Sequence, residues 1–138
     1  MMIVLLILPS GAWDRKELTA LVRAKDFDAA FAWIDKEVAK LPAGESIELA
    51  TLLSYQAELY GMNLQHDKAI ALLRRCLLMQ ENVDAEAHLI LETNLRLARL
   101  LVRNDQFDDA KAAYLRVVKL AEDRADQNVE FGIKAELA

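Results

Sequence analysis

One pattern occurs three times along this chain, and no other feature constrains the fold as strongly. It runs from a polar turn through an aromatic residue and an alanine into an apolar run at helical spacing. The fullest copy is RNDQFDDAKAAYLRVVKLAED, residues 103–123. Two weaker copies are AKDFDAAFAWIDKEVAKLP, which starts at Ala24, and NLQHDKAIALLRRCLLMQ, which starts at Asn63. A pattern repeated at a near-constant interval indicates one structural unit used several times.

The three copies share a register that predicts the second helix of a helical pair. Their aromatic-like positions are Phe27, His66 and Phe107, which lie 39 and 41 residues apart. An alanine follows three residues later, and larger apolar residues follow at further steps of four, so the pattern marks one face of a helix. These positions are Ala30, Ala69 and Ala110, then Ile34, Leu73 and Tyr114, then Val38, Leu77 and Val118. A small alanine lets a neighbouring helix approach closely.

A preceding helix completes each unit. Its apolar residues recur at matching positions: Leu18 and Leu21, Ala57 and Tyr60, Ala98 and Leu101. We expect Ser46 and Asp84 to be the N-caps of the later first helices. The chain ends with KAELA, residues 134–138, which echoes QAELY at residues 56–60. Residues 126–138 are therefore expected to form one more first helix, which either caps the stack or begins a truncated unit.

This pattern predicts an all-α chain with an apolar segment at residues 1–13 and a repeat domain at residues 14–138. The expected units span about 14–42, 46–81 and 84–123. One helical pair cannot bury its own apolar face. Stacked pairs bury their faces against each other and expose a concave groove formed by the first helices.

The motifs resemble tetratricopeptide repeats. The shared features are L-A-x-x-L or L-A-x-x-Y in the first helix, and an aromatic residue, an alanine and a large apolar residue in the second. The period of about 40 residues is similar to that of the longer-repeat varieties. Pro42 falls at the unit-ending proline position, whereas Glu17 and Gln56 stand where leucine is usual. The resemblance covers about residues 14–138. It implies a right-handed superhelical stack of antiparallel helical hairpins, with three units and a final helix.

Composition excludes several classes of protein. A net charge of −5 argues against nucleic-acid binding, which depends on neutralising phosphates. The single cysteine, Cys76, provides neither a disulfide framework nor a Cys-based zinc site, and it fits a reducing compartment. The sequence contains no apolar run long enough for a transmembrane helix. We therefore expect a cytoplasmic protein, with a secreted or periplasmic location as the less favoured alternative.

The start of the chain, MMIVLLILPSGAW, is unusually apolar. It is similar to a secretory signal, with Ser10 and Ala12 as the small residues before a cleavage point. However, no Lys or Arg precedes the apolar run. The favoured interpretation is a short strand or helical turn that covers the open end of the core, or an apolar contact that forms a homodimer.

The sequence predicts no enzyme, no cofactor and no metal site. No nucleophile lies near a base, and no Gly-rich phosphate loop is present. His66 and Cys76 occupy packing positions of the repeat. Asp84, His88 and Glu92 are spaced as one column of a helix that could hold a metal ion, but a solvated charged face is the favoured interpretation.

The resemblance also implies which residues face the groove. By family position these are Arg15, Thr19, Arg23, Thr51, Ser54, Glu58, Met62, Leu95, Arg99, Val102 and Arg103. Arg96, Arg99 and Arg103 line one side of their helix, which suits recognition of an acidic or C-terminal peptide segment. A solvated face paired with nearby glutamates is the alternative. Binding of a chaperone tail is disfavoured, because Thr19 and Glu92 replace the Asn and Lys of the family's clamp.

The predicted function is a non-enzymatic protein-interaction module or scaffold that holds a peptide or helix of a partner protein on its concave face. One alternative is a structural domain for homo-oligomerisation. The other is the sensor or regulatory repeat region of a larger transcriptional regulator. That second alternative follows from the third unit, which resembles repeats in the sensor region of large ATP-dependent activators of the maltose-activator type.

Overall fold

Six α-helices form the part of the protein that the structure, a computed structural model, describes, which is residues 16–123. They are α1 (Lys16–Arg23), α2 (Phe27–Ala39), α3 (Ile47–Met62), α4 (His66–Asn82), α5 (Ala87–Arg103) and α6 (Phe107–Asp123). No strand occurs in this range, so the prediction of an all-α fold is confirmed. The apolar segment at residues 1–13, Arg15 and the helix expected at residues 126–138 lie outside the described residues.

Three turns of the same conformation connect α1 to α2, α3 to α4 and α5 to α6. Their middle residues are Lys25, Leu64 and Asp105, with φ angles of 58°, 61° and 60°. The N–H of the third turn residue donates to the carbonyl five residues earlier in each case, at 2.8, 2.9 or 3.0 Å. These bonds satisfy carbonyls that a helix end otherwise leaves without partners. The connection between α4 and α5 has the same geometry, with a φ of 52° at Asp84 and a bond of 2.8 Å from the Ala85 N–H to the Gln80 carbonyl, so it ends helices both within and between the pairs.

The start of α3 follows the sequence prediction. Ser46 has extended backbone angles, and its hydroxyl accepts a hydrogen bond from the Leu49 N–H at 3.0 Å. This bond satisfies one of the N–H groups that have no partner within the helix. The prediction of Ser46 as an N-cap is confirmed.

The predicted N-cap at Asp84 is wrong. Asp84 has a φ of 52° in the connection after α4, and its N–H donates to the Glu81 carbonyl at 3.3 Å. Aspartate adopts this left-handed conformation more readily than most residues, so Asp84 ends α4 instead of starting α5. The N-cap of α5 is Glu86. Asp84 consequently does not share a helix with His88 and Glu92.

Each helix packs against the next one along the chain, and α3 contributes to every buried cluster. The first cluster joins α1, α2 and α3 through Leu18, Val22, Ala30, Ile34, Leu52, Tyr55 and Leu59. The largest cluster contains residues of all four helices from α3 through α6, including Ala57, Leu73, Leu97, Tyr114 and Val117. A third, smaller cluster lies between α3 and α4. Because α3 links all three clusters, residues distant in sequence reach a common surface around it.

The repeat positions are buried to different degrees. Ala30, Ala69 and Ala110 are all buried, as expected for close helix packing. Phe27 is half-buried against the first cluster, whereas Phe107 is 60% exposed. Phe107 begins α6, and no described helix follows to cover it. None of the helices between residues 16 and 123 has the length and apolar character needed to cross a membrane.

Candidate functional site

A pocket of about 980 Å³ opens where the C-terminal ends of α1, α3 and α5 meet the starts of α2 and α4. Its lining residues are Val22, Arg23, Lys25, Phe27, Glu58, Gly61, Met62, Leu64, His66, Arg96, Arg99, Leu100 and Arg103. The volume lies at the upper end of the range that is usual for ligand-binding clefts. The first helix of each pair contributes to this one surface.

Helical spacing and close packing position the wall formed by α5. Arg96, Arg99 and Arg103 follow each other at steps of three and four residues, so they lie along one face of the helix. Gly61 of α3 lies opposite, where a β-carbon would be 3.0 Å from Leu100 Cδ2. A glycine at this point therefore allows α3 and α5 to approach closely in the wall of the pocket.

The pocket is strongly cationic within an acidic chain. Among its described lining residues, five carry a Lys or Arg side chain and one, Glu58, carries a carboxylate. The whole chain has a net charge of −5. Charges of one sign gathered in a cleft raise the local concentration of ions of the opposite sign. This distribution favours an anionic ligand.

Glu58 and Arg96 form a buried ion pair between α3 and α5. Arg96 Nε lies 3.5 Å from Glu58 Oε1, and the two side chains are 5% and 15% exposed. The distance exceeds the roughly 2.7–2.9 Å of a close charge-assisted hydrogen bond, and Arg96 Nε is buried without a hydrogen-bond partner. A buried pair with such incomplete pairing adds little to stability, because the two groups lost their hydration.

Burial perturbs the ionisation of both members of this pair. It raises the pKa of the Glu58 carboxyl above its ordinary value, while Arg96, Arg103 and Arg99 act in the opposite direction. Burial also lowers the pKa of Arg96, and Glu58 and Glu92 oppose that change. Ionisable groups perturbed in this way and located in a cleft are typical of functional sites.

Apolar side chains supply the rest of the lining. They come from α1, α2, α3 and α5 and from the turn after α3, and they are Val22, Phe27, Met62, Leu100 and Leu64. Leu64 is 80% exposed, so it lies at the rim. A ligand that fits this lining combines anionic groups with apolar surface.

The structure brings five of the sequence-predicted site residues together in the pocket. They are Arg23, Glu58, Met62, Arg99 and Arg103. These residues lie in the C-terminal halves of α1, α3 and α5, at the same end of the first helices. The pocket therefore uses one end of the predicted groove.

Within the described residues 16–123, five other predicted site residues lie outside this pocket: Thr19, Thr51, Ser54, Leu95 and Val102. Ser54 is buried, and its hydroxyl donates to the Thr51 carbonyl at 2.7 Å. Leu95 is half-buried against the largest core cluster. Thr19 is half-buried on α1, and Val102 is 39% exposed; neither lines the pocket.

Sequence reasoning placed Arg96 beside Arg99 and Arg103 but missed seven lining residues: Val22, Lys25, Phe27, Gly61, Leu64, His66 and Leu100. The repeat register contained a signal for four of them. Lys25 and Leu64 are the middle residues of equivalent turns, and Phe27 and His66 begin equivalent helices. A search for residues at equivalent turn positions would have found this end of the groove.

Chemistry outside the pocket is limited in the described part of the chain. No three side chains among the His, Cys, Asp and Glu of residues 16–123 are placed to hold a metal ion. The buried Cys76 thiol donates to the Ala50 carbonyl at 3.5 Å, and burial raises its pKa to about 12. The thiolate is the reactive form of cysteine, so the Cys76 thiol is expected to be unreactive in the folded protein.

Comparison with known proteins gives no relative. The chain matches no protein-family model, no curated protein and no solved structure. The resemblance to tetratricopeptide repeats therefore stays a prediction from the sequence motifs.

Proposed function

We propose that this chain is a non-enzymatic protein-interaction module whose pocket binds an acidic, partly apolar segment of a partner protein. The observation that carries the proposal is the group of five cationic side chains around an apolar lining, in a chain of net charge −5. Partner carboxylates would pair with Arg99 and Arg103, since guanidinium groups bind carboxylates through paired hydrogen bonds. Partner apolar side chains would contact Met62 and Leu100.

We further infer that the helix pairs form a right-handed superhelical stack of the tetratricopeptide type. Two features support this inference. The repeat alanines are buried, and the first helices α1, α3 and α5 contribute to one surface. In such a stack the pocket would be one end of the concave groove. A crystal structure of the full chain would test the handedness.

Binding of a defined peptide tests the proposed function. The probe is a ten-residue peptide with an amidated C-terminus that carries three Glu among Leu and Phe, and its control has Gln in place of Glu. Isothermal titration should detect binding of the acidic peptide and weaker binding of the Gln peptide. Affinity should fall as salt is added, because the attraction is partly screened.

Charge reversal locates the binding site. Arg99→Glu with Arg103→Glu should weaken binding of the acidic peptide by at least about tenfold, since two attractive charges become repulsive. The matched control is Arg74→Glu with Arg116→Glu, which changes the net charge equally at exposed positions outside the pocket. Equal losses in the two double variants would contradict the assignment of the site.

If the acidic peptide does not bind, homo-oligomerisation becomes the proposed function. The test is then the molecular mass in solution of the full chain and of the chain without residues 1–12. A dimer that becomes a monomer on truncation would support homo-oligomerisation, and a monomer in both forms would contradict it.

A further inference from the structure

The pocket contains an anion of its own. Glu58 is the carboxylate among the described lining residues, and it lies 3.5 Å from Arg96. Arg99 and Arg103 also act electrostatically on it. The Glu58 carboxylate therefore occupies the arginine cluster that an incoming anionic group would approach. An anionic ligand must share these cations with Glu58 or replace it.

We propose that Glu58 couples anion binding to proton uptake: when an anionic group of a partner pairs with the arginines of α5, the Glu58 carboxylate takes a proton from solvent. The proton converts the carboxylate to the neutral acid and leaves the arginines to the ligand. This inference rests on the proposed function, because it concerns the same pocket.

Two physical effects drive the uptake in the same direction. A bound anion brings negative charge close to Glu58, and like charges favour the neutral form of a carboxyl group. A bound peptide also covers the pocket and removes water from Glu58, which favours the neutral form again. Burial has already raised the pKa of this carboxyl in the free protein, so a further rise brings it toward neutral pH.

Two consequences follow for affinity. At neutral pH the ionised Glu58 repels the ligand, or a proton must be bound at a cost, and either effect weakens binding. Affinity for an anion that stays ionised should therefore increase as the pH falls, until Glu58 is protonated in the free protein as well. Glu58 would thus restrict the pocket to strongly anionic ligands.

Other charged groups among the described residues must be separated from Glu58 by the experiment. Arg23, Lys25, His66, Arg96, Arg99 and Arg103 line the pocket, and Glu92 of α5 acts electrostatically on Arg96. Arginine and lysine as residue types titrate well above neutral pH. Histidine as a residue type titrates near neutrality, and Glu92 is a second carboxyl, so both need control variants.

The probe is an amidated peptide with one sulfotyrosine flanked by Leu and Phe, because a sulfate ester stays ionised at every pH used. Titration calorimetry in MES and in ACES, at one mildly acidic pH, gives the number of protons taken up from the difference in heat between the buffers. The wild type should take up a measurable fraction of a proton on binding, with one proton as the upper limit. Glu58→Gln should take up almost none and bind about tenfold more tightly at neutral pH, which is the scale of like-charge repulsion in a partly buried site.

Three variants serve as controls. Glu48→Gln removes an exposed carboxylate from the same helix outside the pocket and should bind like the wild type. His66→Gln and Glu92→Gln should retain the proton uptake. Circular dichroism establishes that Glu58→Gln is folded before its affinity is compared.

Failure of this inference differs from failure of the proposed function. If the sulfated peptide binds but Glu58→Gln neither tightens binding nor removes the proton uptake, the role of Glu58 is overturned and the pocket stays a binding site. Loss of the uptake in His66→Gln or Glu92→Gln, with retention in Glu58→Gln, would also overturn it. If neither the wild type nor Glu58→Gln binds the sulfated or the acidic peptide, both proposals fall.

Discussion

The buried contacts of α3 differ along its length: the C-terminal half adds an ion pair to its apolar contacts, and the N-terminal half has no such pair among the described residues. In the N-terminal half, Leu53 packs with Cys76 and Met79 of α4 in an apolar cluster. In the C-terminal half, Glu58 meets Arg96 beside the pocket, and Arg96 Nε lacks a hydrogen-bond partner. The first kind of contact stabilises the fold through burial of apolar surface, whereas the second loses hydration without full compensation. The comparison indicates that the Glu58–Arg96 contact contributes less to stability than the apolar contacts of α3.

The largest effect on stability is expected at the N-terminal half of α3. Leu53→Ala should lower the free energy of unfolding by about 2–4 kcal/mol, because it leaves a cavity in a close-packed cluster. Chemical denaturation measures this loss. Affinity for the acidic peptide should stay within about twofold of the wild type, since the cluster does not line the pocket. A small loss of stability with a large loss of affinity would reverse the contrast between the two halves.

Removal of the arginine should cost less, and by an amount that depends on pH. Arg96→Met leaves Glu58 buried without its nearest cation, so the free energy of unfolding should fall by about 2–3 kcal/mol at neutral pH. Protonation of Glu58 limits this penalty, and at mildly acidic pH it should shrink. Denaturation at the two pH values measures the difference. If the loss of stability does not change with pH, Arg96 does not stabilise the ionised form of Glu58.

Removal of the carboxylate should have a smaller effect on stability. Glu58→Gln should lower the free energy of unfolding by about 1–2 kcal/mol at neutral pH, because the buried Arg96 loses its nearest anion but keeps the attraction of Glu92. The raised pKa of Glu58 means that the folded state binds more protons than the unfolded state between the two pKa values. Wild-type stability should therefore fall as the pH rises through that interval.

The Glu58→Gln variant lacks this contribution, so the difference between the two stability curves isolates it. Urea denaturation over a series of pH values supplies both curves. If the free energy of unfolding of the wild type rises with pH relative to that of the variant, the folded protein lowers the pKa of Glu58. In that case the arginines, and not burial, would dominate the ionisation of this carboxyl.

The smallest expected change is a gain of stability at the pocket rim. Leu64 has a φ of 61°, a conformation that a branched side chain disfavours and glycine accepts. Leu64→Gly should raise the free energy of unfolding by up to about 1 kcal/mol, because Leu64 is 80% exposed and loses little packing. Thermal unfolding of Leu64→Gly measures the gain. Asp105→Gly, which changes the equivalent residue of another turn, is measured for comparison. A clear loss in Leu64→Gly would mean that its side chain packs more closely than its exposure indicates.

The sequence predicted helical structure and the repeat register from local patterns. The alanines and apolar residues of the second helices fix one buried face of each helix, and Ser46 carries its own capping chemistry. Asp84 was assigned to the wrong helix because aspartate is suited both to start a helix and to follow the end of one. The choice depends on where α4 stops, which a short pattern does not specify.

The pocket was less predictable because it depends on contacts between distant residues. Glu58 and Arg96 are far apart in the sequence, and no periodicity indicates that their side chains meet. The close approach of Gly61 to Leu100 depends on how α3 and α5 pack. The family positions of tetratricopeptide repeats predict site residues along the whole groove, Thr51 among them. The pocket lies only at the C-terminal ends of the first helices.

Chemical-shift mapping by NMR tests most directly whether the pocket is the binding site. The acidic peptide is titrated into isotope-labelled protein, and the shift of each assigned backbone amide is followed. We expect the largest shifts at the C-terminal ends of α1, α3 and α5, around Arg23, Glu58 and Arg103. Largest shifts on the exposed faces of α4 and α6, or shifts that Arg99→Glu with Arg103→Glu leaves unchanged, would contradict binding in the pocket.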